Sequence, residues 1–200
     1  MTEHYYTQRP TSKPRLGLLR CHLRGNDFEF LTSSGVFSYR RIDAGTRLLI
    51  ESMTLPDTGA ALDLGCGYGP IGIVAAKLRP RLKVWMTDIN QRAVALAEKN
   101  ASRNGVENIR VIGGLLYEPV EGLTFDVILT NPPISAGIRK VVEPVIEGAT
   151  RYLRPGGSLQ LVVRTTKGGR TLSMRLERYF GGFEVVARRS GYRVMKAEWR

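Results

Sequence analysis

Residues 63–69, Asp-Leu-Gly-Cys-Gly-Tyr-Gly, place three glycines at alternate positions between a short apolar run, AALDL, and a helix-spaced run that opens at Pro70. A chain turns this abruptly from strand to helix where its backbone can take up conformations closed to residues with a Cβ, and glycines supply them. Proline in the first helical turn gives up only an N–H that has no helical partner there. The loop therefore belongs at the carboxyl end of a buried strand, where open α/β sheets bind their ligands.

The rest of the chain repeats this unit. KVWMTD, IRVIG, FDVILT and SLQLVVR are further apolar runs of strand length, most of them separated by helix-spaced segments. Asn90 is placed to cap a helix through QRAVALAEKNASRNG, with Ala93, Leu96 and Ala97 as its buried stripe. A second helix is expected over about 141–153, ended by Arg-Pro-Gly-Gly, and a third through Leu172, Leu176 and Tyr179. FEVVARR and GYRVMKAEW, joined at Ser190-Gly191, read as an antiparallel pair. Upstream, Asp43 can cap a helix that residues 56–59 end, and FEFLTSS and GVFSYR, meeting at Ser-Ser-Gly, suggest a short hairpin. The expected class is α/β with a Rossmann-like fold: a mainly parallel seven-stranded sheet, helices on both faces and an antiparallel C-terminal hairpin. Residues 1–42 would be a basic N-terminal segment carrying the short hairpin, packed on a core made by 43–200, in one structural domain.

Composition narrows the chemistry. Two hundred residues suffice for one well-buried core and leave little room for two enzyme domains. Thirty Lys and Arg against eighteen Asp and Glu give a formal charge of +12, which favours a polyanionic partner, nucleic acid before an anionic membrane. No run reaches the ~18 apolar residues of a membrane span. The polar start, MTEHYYTQRPTSKPR, lacks the apolar core of a secretory signal, so a cytoplasmic protein is expected. Cys21, Cys66, His4 and His22 are too few and too scattered for a zinc site, a disulfide framework or a His-dependent hydrolase, and no metal is expected.

The glycine loop fails two familiar patterns. A dinucleotide fingerprint needs glycine at the sixth position from Gly65, where this chain has Pro70, and no Gly-Lys-Ser/Thr closes a phosphate loop. What remains is a carboxylate followed by G-x-G-x-G, with a second carboxylate, Asp88, ending the next strand in TDIN. A carboxylate there can accept both hydroxyls of a ribose; a glycine turn with Asp88 as a helix cap is the competing reading. In this strand context the sequence resembles S-adenosylmethionine-dependent methyltransferases. The resemblance implies S-adenosylmethionine as cofactor, with Asp63 orienting its ammonium end and Gly65, Gly67 and Gly69 clearing space beside Tyr68. Asp88 and Ile89 would follow the adenosine. Families of this kind often read the adenine amine with Asp or Asn after the third strand, where this chain has Leu115 and Leu116. Apolar stacking and backbone groups would serve in their place.

FDVILT ends in Asn131-Pro132-Pro133-Ile134. Two prolines make this backbone stiff and non-repetitive. The segment resembles the (Asn/Asp)-Pro-Pro-aromatic signature of methyltransferases that act on planar amines. The lone pair of such an amine is delocalised, and acceptors on its hydrogens restore its nucleophilicity. The Asn131 side-chain oxygen and the Pro132 carbonyl would be those acceptors, so fixed dipoles and positioning replace a strong base. Ile134 stands where the pattern has an aromatic that stacks on a flipped base; Phe37, Tyr39 and Tyr68 are candidates for the missing ring.

Further segments extend the likeness: Ser34-Gly-Val-Phe-Ser38, Asp43-Ala-Gly-Thr46, Arg154-Pro-Gly-Gly157 and Gly191-Tyr-Arg-Val194. With them, nearly the whole chain resembles the catalytic domain of small-subunit ribosomal RNA guanine-N2 methyltransferases, above all the single-domain archaeal members. The resemblance implies catalysis by 43–200, Phe37 and Thr46 bordering the cofactor, and RNA as partner, ribosomal RNA first. Arg9, Lys13, Arg15, Arg139, Lys140, Arg164, Lys167 and Arg170 are the candidate RNA-facing cations, on a monomer or weak homodimer. A guanine or adenine of transfer RNA, a protein glutamine amide, and a non-catalytic RNA-binding assembly module stay open as alternatives. The charge tips the choice among amines toward RNA, and intact Asp63, Asp88 and Asn131 speak against a silent module.

Overall fold

The computed structural model describes residues 8, 13–134, 137, 141–166 and 168–200. In chain order the strands are β1 (Leu16–Leu23), β2 (Asn26–Ser33), β3 (Gly59–Leu64), β4 (Leu82–Asp88), β5 (Ile109–Gly113), β6 (Phe125–Thr130), β7 (Leu153–Arg164), β8 (Glu184–Arg189) and β9 (Tyr192–Glu198). The helices are α1 (Ala44–Ser52), α2 (Pro70–Leu78), α3 (Gln91–Arg103), α4 (Glu143–Tyr152) and α5 (Gly169–Phe180). Strands β3 to β9 form one sheet in the order β5-β4-β3-β6-β7-β9-β8, with β9 antiparallel to both its neighbours and the rest parallel. This is the sheet expected from the strand–helix alternation.

The two faces of that sheet are apolar because successive side chains on a strand point opposite ways. Ala60, Leu62 and Leu64 of β3 and Leu159, Leu161 and Val163 of β7 join the layer of α4 and α5, against Val145, Ile146, Ala149, Leu172 and Leu176. Ala61 and Val162 face the other way, toward Leu49, Ile50, Ile73, Val74 and Ala97 of α1, α2 and α3. Each fully buried Leu, Ile or Val contributes about 1.5–3 kcal/mol of transfer free energy. Covering both faces with helices is what lets the central strands be apolar throughout.

Connections fix where a ligand can enter. From β3 the chain winds through α2 and β4 to β5 at one edge, then returns to place β6 on the other side of β3. Crossovers thus leave in opposite directions at the β3–β6 boundary, and a crevice opens beyond the carboxyl ends of those strands. The Thr130 hydroxyl donates to the Leu64 carbonyl at 2.8 Å and ties the two strand ends together at that point.

Two sequence expectations are corrected. The N-terminal hairpin is β1–β2, turned at Arg24-Gly25, and GVFSYR is a run of turns with no strand. Arg24 and Gly25 both have positive φ (50° and 79°), the type I′ geometry whose twist matches paired strands. A non-glycine residue there is strained, and Arg24 is held by donating to the Ile50, Glu51 and Met53 carbonyls at the end of α1. The Arg-Pro-Gly-Gly segment, expected to end a helix, already lies in β7. Its Arg154 donates to Asp126 at 2.8 Å, and the β6–β7 register shifts between Phe125 and Val127 to take up the extra residues.

The hairpin docks through polar pins. Buried Asn100 of α3 accepts the Leu31 N–H at 2.7 Å and donates to the carbonyls of Leu31 and Tyr68 at 2.9 and 2.8 Å. Asn100→Ala strands these buried groups, each costing roughly 1–3 kcal/mol. Urea denaturation should show a loss of about 3 kcal/mol; a change below about 0.5 kcal/mol would show that these bonds do not hold the hairpin down.

Candidate active site

A cavity of about 450 Å³ opens in the crevice beyond β3, β4, β5, β6 and β7, within the roughly 300–1,000 Å³ range of small-molecule sites. The glycine loop contributes Gly65, Gly67 and Tyr68, the end of β4 Asp88 and Ile89, and the turn after β5 Leu115 and Leu116. The Asn131-Pro132-Pro133-Ile134 segment lines the cavity beside the glycine loop, where β6 and β3 end together, with Thr46 next to it, and Phe37 lines it from the turn after β2. Arg164 and Tyr192 complete the rim from β7 and β9.

At the glycine end, backbone geometry does the shaping. Gly65 and Gly67 have φ of 74° and 59°, and a Cβ on either would meet open space, so conformation rather than crowding demands glycine there. Gly69, expected to clear space for a cofactor, lies outside the cavity lining. Its φ of 96° at the start of α2 favours glycine, and a Cβ on it would also sit 2.8 Å from Ile73 Cδ1 and Met86 Cε, so helix–strand packing leaves no room for another residue.

Asp88 holds the loop. Its Oδ2 accepts the Gly67 N–H and its Oδ1 the Asn90 N–H, both at 2.8 Å. Each carboxylate oxygen keeps a lone pair beyond those bonds, which is the capacity a vicinal diol requires. Burial raises the Asp88 carboxyl above its usual range, against the lowering by these two N–H bonds.

Asp63 is set one layer back. It is 1% exposed and lies outside the cavity lining; Oδ2 accepts the Gly72 N–H at 2.8 Å, while Oδ1 is buried without a partner. Burial, with Asp88 nearby, pushes its carboxyl up to about 7, despite the Gly72 bond. Two desolvated carboxylates, one with an orphaned oxygen, make this end of the site suited to a cationic ligand. These acceptors fit S-adenosylmethionine: Asp88 would take its ribose hydroxyls, and Asp63, behind the lining, would attract its ammonium end.

At the end of β6 Asn131 is oriented by two residues of the α1 N-terminus. Its Nδ2 donates to Thr46 Oγ1 at 2.9 Å and to Asp43 Oδ2 at 3.3 Å. Both amide hydrogens are thereby engaged, and the acceptor Oδ1 is the end of the side chain left for the cavity. Asp43 Oδ2 also accepts the Gly45 and Thr46 N–H groups as the cap of α1. The Pro132 carbonyl accepts the Ile134 N–H at 2.9 Å, which fixes its direction and leaves it a second lone pair.

Sequence reading missed Asp43 and Tyr192 as parts of this site. Asp43 was legible as a helix cap, but its second duty depends on β6 ending beside α1. Tyr192 lies in β9, far from the motifs in sequence. Leu116, at φ 49°, is a strained residue in the cavity wall where the adenine-reading side chain was sought. Of the candidate cations, Arg164 lines the cavity, and exposed Lys13 and Arg15 flank the Phe37 turn through backbone bonds to Ser34. Arg170 is exposed on α5, away from the lining. Arg9, Arg139, Lys140 and Lys167 lie outside the described residues.

The family model for the methyltransferase small domain matches residues 27–196. An uncharacterized Bacillus subtilis protein, YbxB, is 40% identical over 200 residues and is covered over 99% of its own length. Ribosomal RNA small subunit methyltransferase C of Serratia proteamaculans is 33% identical over 86% of this chain and 49% of its own length. Among solved structures, a Thermus thermophilus 16S rRNA N2 methyltransferase in complex with AdoMet and guanosine superposes with TM-score 0.84 at 27% identity, over 96% of this chain and 52% of that one. The chain thus spans about half the length of the ribosomal RNA methyltransferases it matches.

The Asp63 environment has a stability consequence. With the carboxyl raised from 3.8 to about 7, the folded protein binds a proton that the unfolded chain has released. Stability contributed by this group therefore falls as pH rises from about 4 to 7. Relative to Asp63→Asn, the wild-type protein should lose about 2–4 kcal/mol between pH 4.5 and 7.5 in urea titrations. Parallel pH profiles for the two proteins would refute the assignment.

Proposed function

The chain belongs to the methyltransferase small-domain family, and we propose on that premise that it moves the methyl group of S-adenosylmethionine to the N2 amine of a guanine in ribosomal RNA. The observation that carries this reading is the Asn131 amide, turned by Thr46 and Asp43 so that its oxygen is left to meet an amine in the cavity at the end of β6. The 33% and 27% identical relatives, described as ribosomal RNA methyltransferases, support the substrate, and so does the formal charge of +12.

When bound, S-adenosylmethionine supplies an electrophilic methyl group on a sulfonium. The chain's own residues do the rest. Asp88 takes the ribose hydroxyls and Asp63 provides the negative charge behind the ammonium end, directly or through water. Ile89, Leu115 and Leu116 enclose the adenine with apolar surface, Phe37 and Thr46 border the cofactor, and Gly65, Gly67 and Tyr68 shape the floor. Asn131 Oδ1 and the Pro132 carbonyl accept the two amine hydrogens, which draws the nitrogen lone pair out of the ring. Pro133 stiffens the turn and Ile134 offers apolar contact to the base. Preorganised acceptors in a dry site account for the rate without a strong base. A guanine inside a helix cannot reach this depth, so the base leaves its stack, and Lys13, Arg15, Arg164 and Arg170 follow the phosphates.

The deciding test is methyl transfer to RNA from cells lacking the gene, read as N2-methylguanosine by nucleoside mass spectrometry. Methylation of 16S RNA is expected; a product confined to transfer RNA, or none, overturns the reading. Asn131→Ala should abolish transfer while cofactor affinity stays within a few-fold, measured by calorimetry. Asp88→Ala should weaken cofactor binding by about 1–3 kcal/mol, the cost of stranding paired polar groups. Raising salt from 50 to 200 mM should weaken RNA binding steeply, and a flat response would point away from nucleic acid.

A further inference from the structure

Ile134 leaves the amine end of the cavity without the ring on which a flipped base would stack. We propose that Tyr192, with the Arg164 guanidinium in cation–π range of its ring, is the base-holding platform of this site and receives the guanine plane. The assignment rests on the proposed transfer to an RNA base. Three aromatic side chains line the cavity among the described residues: Phe37, Tyr68 and Tyr192. Tyr68 is 2% exposed and meets Phe30 edge-on, with ring centroids 5.8 Å apart, so it belongs to the core. Phe37 sits on the ribose side, in a turn whose Gly35 and Ser34 carbonyls are bound by Asn90 and Arg92, just past Asp88. Tyr39, which stacks with Arg40, lies outside the lining.

Tyr192 is at the amine end. Its hydroxyl donates to Asp43 Oδ1 at 3.4 Å, and the other oxygen of that carboxylate accepts from Asn131. Its backbone lies in β9, in register with Arg164 of β7 on one side and Arg189 of β8 on the other, so the ring is carried by a three-strand ladder. The ring edge fits against Gly45, where a Cβ would fall 2.8 Å from Tyr192 Cδ1. Over the ring lies the Arg164 guanidinium, 5.7 Å from the centroid. Unstacked bases are held on two kinds of plane, aromatic rings and guanidinium groups, and this pair offers both beside Asn131. Its positive charge suits the phosphate next to an extruded nucleotide.

Guanosine is the probe, titrated calorimetrically into the full chain with S-adenosylhomocysteine present. Tyr192→Leu should weaken guanosine at least about tenfold, with S-adenosylhomocysteine affinity unchanged and thermal unfolding still cooperative. Tyr192→Phe keeps the ring and should stay within about threefold. Adding Ile134→Phe to Tyr192→Leu should return affinity to near the wild-type value, because a ring is restored at the neighbouring position. The proposal is overturned if the wild-type protein binds no guanosine or if Tyr192→Leu binds it as well as wild type does. It is equally overturned if S-adenosylhomocysteine affinity falls in step with guanosine affinity. Guanosine binding that depends on Tyr192, in a protein that methylates no RNA, would support the platform and overturn the ribosomal RNA reading.

Discussion

Everything in this molecule hangs on the parallel pairing of β3 with β4 on one side and β6 on the other. Parallel neighbours cannot be joined by a tight turn, so β3 reaches β4 through the crossover helix α2, while the chain comes back from β5 to place β6 on the other side of β3, and the two connections run in opposite directions. The crevice between them is a consequence of connectivity before any side chain is chosen. Side chains then line it by their place at strand ends: the glycine loop after β3, Asp88 closing β4 and Asn131 following β6. Apolar layers on both faces hold the strands rigid and keep those ends in register.

Polar side chains do a different job, fastening peripheral segments to that frame at single points. Asn100 pins the hairpin to α3. Asn90 caps α3 and also binds the Gly35 carbonyl, which brings the Phe37 turn to the cavity mouth. Gln160, buried in β7, accepts from the Thr54 N–H and donates to its carbonyl, which anchors the segment after α1. Asp43 unites these roles, for one carboxylate caps α1, steadies Asn131 and receives Tyr192. Asp63 is the exception, a buried carboxylate with an orphaned oxygen. The same desolvation that makes it costly to the fold strengthens its attraction to positive charge.

Local signals in the sequence were strong wherever one residue type has one physical use. Glycines at alternate positions, Pro70 at a helix start, Asn90 and Asp43 as caps, and the strand runs from β3 to β6 could each be read in place, because their causes lie within a few residues. The first hairpin was not, although its signals were there. Leu16, Leu18 and Arg20 alternate across from Ser33, Leu31 and Glu29, but the turn is Arg24-Gly25, and Arg24 tolerates its positive φ with the help of carbonyls from α1. Arg154-Pro-Gly-Gly misled for a similar reason. Proline and glycine usually end elements, and here the β6–β7 ladder absorbs them through a register shift.

By itself, then, the sequence determined the α/β class, the order of most elements, the two carboxylates at strand ends and the Asn-Pro-Pro turn, for these follow from short-range sterics, capping and side-chain period. Tertiary structure alone decided the rest. It set Asp63 one layer behind the cavity, crowded Gly69 against α2 and β4, engaged the Asn131 amide with Thr46 and Asp43, and brought Tyr192 and Arg164 to the cavity rim. Those placements depend on contacts between residues as much as 149 positions apart, such as Tyr192 and Asp43. No local pattern encodes such contacts, because they exist only once the sheet has closed over its order.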